Sequence, residues 1–182
     1  MPNASPAPAP ADVPSDGFVE VRSPDVLREI LGEPHPIVID KVHDRLTADD
    51  RDVLARARLA LLATSDAAGE LDVSPRGGEP GFVRVLDDRT LVLPERAGNR
   101  RGDTLHNILA HPNVGMLFLT PGDTKVLRLN GRARILRDAP FFAEMAEKGT
   151  VPELAVLVEV DEVYLHCPAS LRRAGLVTAP SS

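Results

Sequence analysis

Residues 72–109 read DVSPRGGEPGFVRVLDDRTLVLPERAGNRRGDTLHNIL, and this stretch decides the fold. Phe82 to Leu86 and Thr90 to Leu93 are two short apolar runs. They flank Asp87, Asp88 and Arg89, which is the pattern of a β-hairpin. Ser74 to Gly81 is crowded with Pro and Gly and reads as a loop. Leu105, Ile108 and Leu109 then recur at helical spacing. Asp103 stands where a cap belongs, and Pro112 stops the run.

Outward from this segment, strand signals dominate. Upstream, Leu59 to Thr64 is a continuous apolar run, Asp66 to Gly69 a turn, and Leu71 to Val73 the returning strand. Downstream, Val114 to Leu119 and Val126 to Leu136 flank a turn at Thr120 to Asp123. Leu154 to Tyr164 alternates as a final long strand. Between them, Asp138 is expected to open a helix with Phe141, Phe142 and Met145 on its packed face, closed by Gly149. Nearer the N-terminus, Ser23-Pro24-Asp25 starts a helix bearing Leu27, Ile30 and Leu31. Thr47 with Asp50 forms a capping-box pattern ahead of Val53, Leu54 and Ala57. Consecutive strands with helices inserted between hairpins are not βαβ alternation. The expected class is mainly β (α+β), an antiparallel barrel with peripheral helices.

Residues 1–17 hold five prolines and no periodicity, so they are expected to be a disordered arm. Residues 18–182 are expected to be a single domain. The chain has 182 residues and a net charge of −6, which argues against general nucleic-acid binding. Its one cysteine, Cys167, excludes an intramolecular disulfide and suits a cytoplasmic protein. No apolar run approaches the roughly 18 residues of a membrane span. No Cys/His cluster has metal-ligand spacing, so no metal is expected. His166 and Cys167 would point to opposite faces of a strand and lack a third ligand.

The cations are unevenly chosen: 18 of the 21 are Arg. Six of these (76, 84, 89, 96, 100 and 101) fall between Ser74 and Arg101, with no Lys among them. Asn99-Arg100-Arg101-Gly102 stands just before a helix. Two guanidiniums and free backbone N–H groups there make a natural anion site. The same run also reads as a solvated, charge-balanced hairpin, with Glu79, Asp87, Asp88 and Glu95 as partners.

The segments DVSPRGGEPGFVRV (72–85), TLVLPERAGNRRGDTLHNIL (90–109), HPNVGMLFLTPG (111–122) and LRLNGRARI (127–135) resemble the pyridoxamine 5′-phosphate oxidase-related flavin-binding family. The likeness is greatest to its bacterial branch of flavin-nucleotide-binding proteins, with a weaker match at VYLHCPASLRR (163–173). The resemblance implies a split β-barrel of the FMN-binding type. It implies a homodimer with FMN at the subunit interface, and an oxidoreductase acting on a small molecule. By motif, Asn99, Arg100 and Arg101 match the phosphate-binding turn, and Arg84 a lysine that reaches the flavin. Phe82 and Val83 match the stretch along the isoalloxazine, and Pro94 and Glu95 a pair at the end of the next strand. Arg128 falls on a strand that lines the same groove, and Arg76 belongs to the branch's Ser-Pro-Arg-Gly signature.

Some positions depart from the family. Val126 stands for a glutamine, Ala169 for a lysine and Val177 for a tryptophan, while Arg173 is kept; the chain has no Trp at all. These changes weigh against pyridoxamine phosphate as substrate more than against flavin. Two other readings remain: a non-catalytic flavin-binding or storage module, and a split barrel that takes deazaflavin or haem. Haem would need an axial ligand from His106, His111 or His166.

Overall fold

A computed structural model describes residues 17–120, 122–123, 125–166 and 169–176. The expected arm lies outside these residues except for Gly17, as do Cys167 and Val177. By its internal contacts the chain divides into two units, Met1–Lys41 and Val42–Ser182.

The described part of the first unit holds α1 (Pro24–Leu31) and α2 (Pro36–Asp40). Ser23 caps α1, its hydroxyl accepting the Asp25 N–H at 3.2 Å. No residue of α1 is buried, so the expected apolar face of Leu27, Ile30 and Leu31 stands exposed.

The second unit is a seven-stranded antiparallel sheet that does not close. It opens with α3 (Ala48–Arg56), which carries the capping box read from sequence. The Thr47 hydroxyl accepts the Asp50 N–H at 3.3 Å, and Asp50 Oδ2 accepts the Thr47 N–H at 2.9 Å. The strands are β1 (Leu59–Ser65), β2 (Leu71–Gly77), β3 (Arg84–Val85) and β4 (Thr90–Glu95), then β5 (Asn113–Leu119), β6 (Val126–Leu136) and β7 (Leu154–His166). Helix α4 (Asp103–Ala110) lies between β4 and β5, and α5 (Ala169–Arg173) follows β7. The strand order is β2-β1-β5-β6-β7-β4-β3, so the edges belong to β2 and β3.

One face of the sheet is sealed. Leu62, Phe118, Leu127, Leu129, Leu91 and Leu93 are fully or almost fully buried there, with Val53 and Leu54 of α3 and Ile108 of α4 packed on them. A smaller cluster of Val92, Phe142, Met145, Ala155 and Leu157 covers the opposite face at β4 and β7. Gly131 sits at a bulge in β6, and a Cβ there would stand 2.1 Å from the Glu159 carbonyl oxygen. Backbone cannot yield at that distance, so only glycine fits.

Four local expectations are corrected. The loop expected at Ser74–Gly81 begins later, because β2 runs on to Gly77. Pro75 is tolerated since β2 is an edge strand. Asp103 is the first helical residue of α4, not its cap. The cap is Gly102 at φ 72, with no side-chain hydrogen bond. Leu109 is exposed, and Thr104 is buried in its stead. The helix expected from Asp138 is a single 3-10 turn, Phe142–Met145. Pro140 supplies no N–H to a longer ladder. Among the described residues, no helix is long and apolar enough to cross a membrane.

Candidate functional site

The sheet stays open because its edges, β2 and β3, do not pair, and a cleft of about 500 Å³ lies between β2 and the end of β4. Alternation along β2 turns Asp72, Ser74 and Arg76 toward it. The end of β4 contributes Pro94 and Glu95, and residues 96–102 form a loop across it. The N-terminus of α4 closes the far side with Asp103, Thr104 and Leu105.

The loop is shaped by its own residues. The Asn99 side-chain oxygen accepts the Arg101 N–H at 3.0 Å, an Asx turn. Arg100 takes φ 64, unusual for a residue with a Cβ, and Gly102 takes φ 72. These two left-handed residues fold the chain back so that the first turn of α4 meets the cleft. The free N–H groups of that turn carry partial positive charge.

A polar ladder anchors α4 to the sheet. The Thr104 hydroxyl donates to Asp72 Oδ2 at 3.1 Å, so the Ser74 hydroxyl must donate to Thr104 across 2.9 Å. One turn on, the Asn107 amide donates to the Thr64 hydroxyl at 3.0 Å. Across the gap, Arg76 Nη1 donates to both carboxylate oxygens of Glu95, at 2.7 and 2.5 Å. Arg101 pairs with Asp103 at 2.7 Å and is well exposed. Arg96 pairs with Glu147 at 3.2 Å. The Nε of Arg76 is buried and has no hydrogen-bond partner, while the Nε of Arg96, also buried, is the atom that faces the Glu147 carboxylate.

Of the residues singled out from sequence, six come together in this cleft: Arg76, Phe82, Pro94, Glu95, Asn99 and Arg101. Four lie elsewhere. Val83 is in the core, just before β3 begins, while its neighbour Phe82 is partly buried and lines the cleft. Arg84 lines a neighbouring cleft of about 290 Å³, where it pairs with Glu144 and lies 5.3 Å from the Phe141 ring centre. The two clefts share Phe82 and Arg96. Arg100 does not line the cleft. Arg128 is exposed on the sheet face away from the core, 5.6 Å from the Tyr164 ring. His106, His111 and His166 line neither cleft. Among the described residues, no three His, Cys, Asp or Glu side chains are grouped to hold a metal.

Sequence reasoning missed Asp72, Ser74 and Thr104 as cleft residues, and it counted Arg96 in the arginine cluster without assigning it to the site. The first two share the i, i+2, i+4 pattern with Arg76, which becomes visible only when β2 is read through Pro75.

The clearly shifted carboxyls lie outside this cleft. Asp87 is held below the usual carboxylate range, chiefly by the Arg89 N–H. Burial pushes Asp123 up, but the Lys125 N–H and the Arg56 guanidinium outweigh it and leave it low.

Comparison with known proteins agrees with this architecture. HupZ of Group A Streptococcus superposes with a TM-score of 0.54 at 22% identity, over 66% of this chain and 93% of that one. A putative pyridoxamine 5′-phosphate oxidase of Lactobacillus delbrueckii gives 0.53 at 24% identity, over 67% and 95%. General stress protein 26 of Bacillus anthracis gives 0.50 at 15% identity, over 63% and 88%. At these identities the likeness is one of fold, the split barrel. Comparison with curated protein sequences gives no match. Residues 46–167, which span the sheet and every residue of the cleft, match the family model described as pyridoxamine 5′-phosphate oxidase, and the chain belongs to that family.

Proposed function

We propose that the protein is a cytoplasmic flavoprotein that binds FMN in the gap between β2 and β4 and serves as an oxidoreductase for a small molecule. The observation that carries this is the set of unused donors at one end of the cleft. Arg76 holds a buried Nε–H with no acceptor, and Arg101 and the first turn of α4 line the same cleft. Buried donors without partners are costly, and a phosphate oxygen would satisfy them.

The rest of the lining suits the rest of the molecule. Asp72, Ser74 and Thr104 offer hydrogen bonds to a polyol chain, and Phe82, Pro94, Ala97 and Leu105 offer apolar surface to a flat ring. The volume falls within the usual range for such ligands, about 300–1,000 Å³. In this reading Arg101, Arg76 and the α4 N–H groups hold the phosphate, and Asn99 fixes the turn that presents them. Bound flavin supplies the electron or hydride transfer, so the protein positions rather than reacts.

A second copy of the chain completes the site in this reading. The outward face of the β2 edge exposes Leu71 and Val73, at 81% and 60%, and Leu59 adds to it at the margin. An apolar rim beside an open cleft suits a homodimer, with Arg128 of the outer face available to the partner's cleft.

The test is an absorption and fluorescence titration of the purified protein with FMN and with riboflavin. Quenched flavin fluorescence and a bound flavin spectrum are expected. A protein that neither shifts the spectrum nor gains thermal stability from FMN ends the proposal. Reduction of the bound flavin by NADH or NADPH, with reoxidation at a catalytic rate, separates an enzyme from a storage module.

A further inference from the structure

We propose that Glu95 is a specificity-determining residue of the cleft, a built-in anion that a ligand's phosphate must displace from Arg76. Its charge would set how strongly the cleft prefers a phosphorylated ligand over the same ligand without phosphate. The inference rests on the flavin reading above and goes further, to what tunes the selectivity.

Three carboxylates line the cleft, and they are not equivalent. Asp72 is engaged by the Thr104 hydroxyl at 3.1 Å. Asp103 pairs with Arg101 at the surface, where both side chains are largely in water and the attraction is weak. Glu95 pairs with Arg76 across the gap, and these side chains are only 22% and 17% exposed. Both Glu95 oxygens converge on one nitrogen, Nη1. The Arg76 Nε remains buried without an acceptor. Glu95 therefore neutralises the most buried guanidinium of the cleft without using all of its donors.

Charge decides the consequence. The lining holds Arg76, Arg96 and Arg101 against Asp72, Glu95 and Asp103, which is formally neutral. A phosphate dianion entering a neutral cleft meets Glu95 as a like charge and a rival for Arg76. Removal of that one charge leaves the cleft at +1 and frees the guanidinium. A ligand without phosphate has no such rivalry and should be nearly indifferent to the change.

The experiment measures FMN and riboflavin affinity for the wild-type protein and for Glu95→Gln, which keeps the shape and one acceptor oxygen. FMN affinity is expected to rise about tenfold while riboflavin affinity stays within about twofold. Arg76→Gln placed in the Glu95→Gln background should abolish the gain, which a merely structural role for Glu95 would not require. Glu95→Asp keeps the charge but shortens the reach. It should shift the FMN-to-riboflavin ratio in the same direction by about threefold, and it serves if the Gln variant does not fold. Wild-type protein that binds FMN, with the ratio unchanged in the variants, overturns this inference and leaves the flavin reading standing. Equal shifts for FMN and riboflavin also overturn it. No flavin binding by wild type or variants overturns both.

Discussion

Thr104→Val tests whether the polar ladder between α4 and β2 builds the cleft. Valine matches threonine in shape, so the packing of this buried residue is kept and only the hydroxyl is lost. Two hydrogen bonds go with it, from Thr104 to Asp72 and from Ser74 to Thr104. A bond to a charged acceptor is worth about 1.5–3 kcal/mol and a neutral one about 0.5–1.5. Asp72 and Ser74 face the open cleft and can rehydrate, so the lower ends apply and the sum is about 2 kcal/mol. For a domain of this size that corresponds to a fall in Tm of about 4–8 °C. The functional effect follows from position. The ladder holds the first turn of α4 against β2, so its N–H groups should drift and FMN affinity should fall about tenfold. Thr104→Ser keeps the hydroxyl and should retain FMN affinity despite the lost methyl. The assays are a thermal melt and a flavin fluorescence titration. A Tm within about 1 °C of wild type, with unchanged FMN affinity, would refute the idea that this ladder positions the helix.

Four further outcomes are expected. Arg101→Ala should weaken FMN about 10- to 100-fold by titration and leave riboflavin nearly unchanged, since a charged phosphate contact is lost. Gly131→Ala forces a Cβ against the Glu159 carbonyl, so urea unfolding should show a loss of about 3 kcal/mol or more. Asp123 titrates below its unfolded value of about 3.9, so its contribution is complete above that pH and is lost as pH falls through the folded value. Asp123→Asn should accordingly lower Tm at pH 7 and converge on wild type in acid melts. If the proposed homodimer forms through this face, wild type should size as a dimer by light scattering, and Val73→Asp, which places a charge on the exposed face of β2, should size as a monomer.

What could be read in the sequence was what is local. The Thr47–Asp50 capping box lies within four residues, and the Asn99–Arg101 turn within three. The capping box is present as expected, and the Asx turn is equally local, because no distant partner decides either. Elsewhere, tertiary context overrode local signals. Pro75 looked like a breaker, but an edge strand has a side where no N–H is needed. Asp103 looked like a cap, but two left-handed residues before it already turn the chain, and Gly102 takes the cap position. Val83 was grouped with its neighbours by motif, whereas it is buried in the core ahead of β3, Phe82 lines both clefts and Arg84 lines the neighbouring one. The cleft itself was half legible. Asn99 and Arg101 are only two positions apart in sequence. Asp72 and Thr104 meet only when α4 folds back over β2, and no spacing rule in the chain announces that.

The position of the cleft follows from how the barrel is filled. Leu62, Phe118, Leu129 and Leu93 close the interior from β1, β5, β6 and β4, with almost no exposure, so a ligand the size of a flavin has no room inside. Among the described residues, the roomier of the two neighbouring clefts lies where the sheet fails to close, between β2 and the end of β4. There the strands offer ends and side chains in place of ladder hydrogen bonds, and an open edge would otherwise invite another chain. The inward charges of Asp72 and Arg76 and the missing N–H of Pro75 restrain that pairing along β2. The same charged side chains line the cleft. In the proposed reading, protection of the edge and recognition of an anion thus draw on one set of residues, with the Arg76–Glu95 pair spanning the gap. Substitutions at this pair should therefore be judged by the ratio of two ligands rather than by stability alone, because a change in the edge moves both affinities together and a change in the anion site moves one.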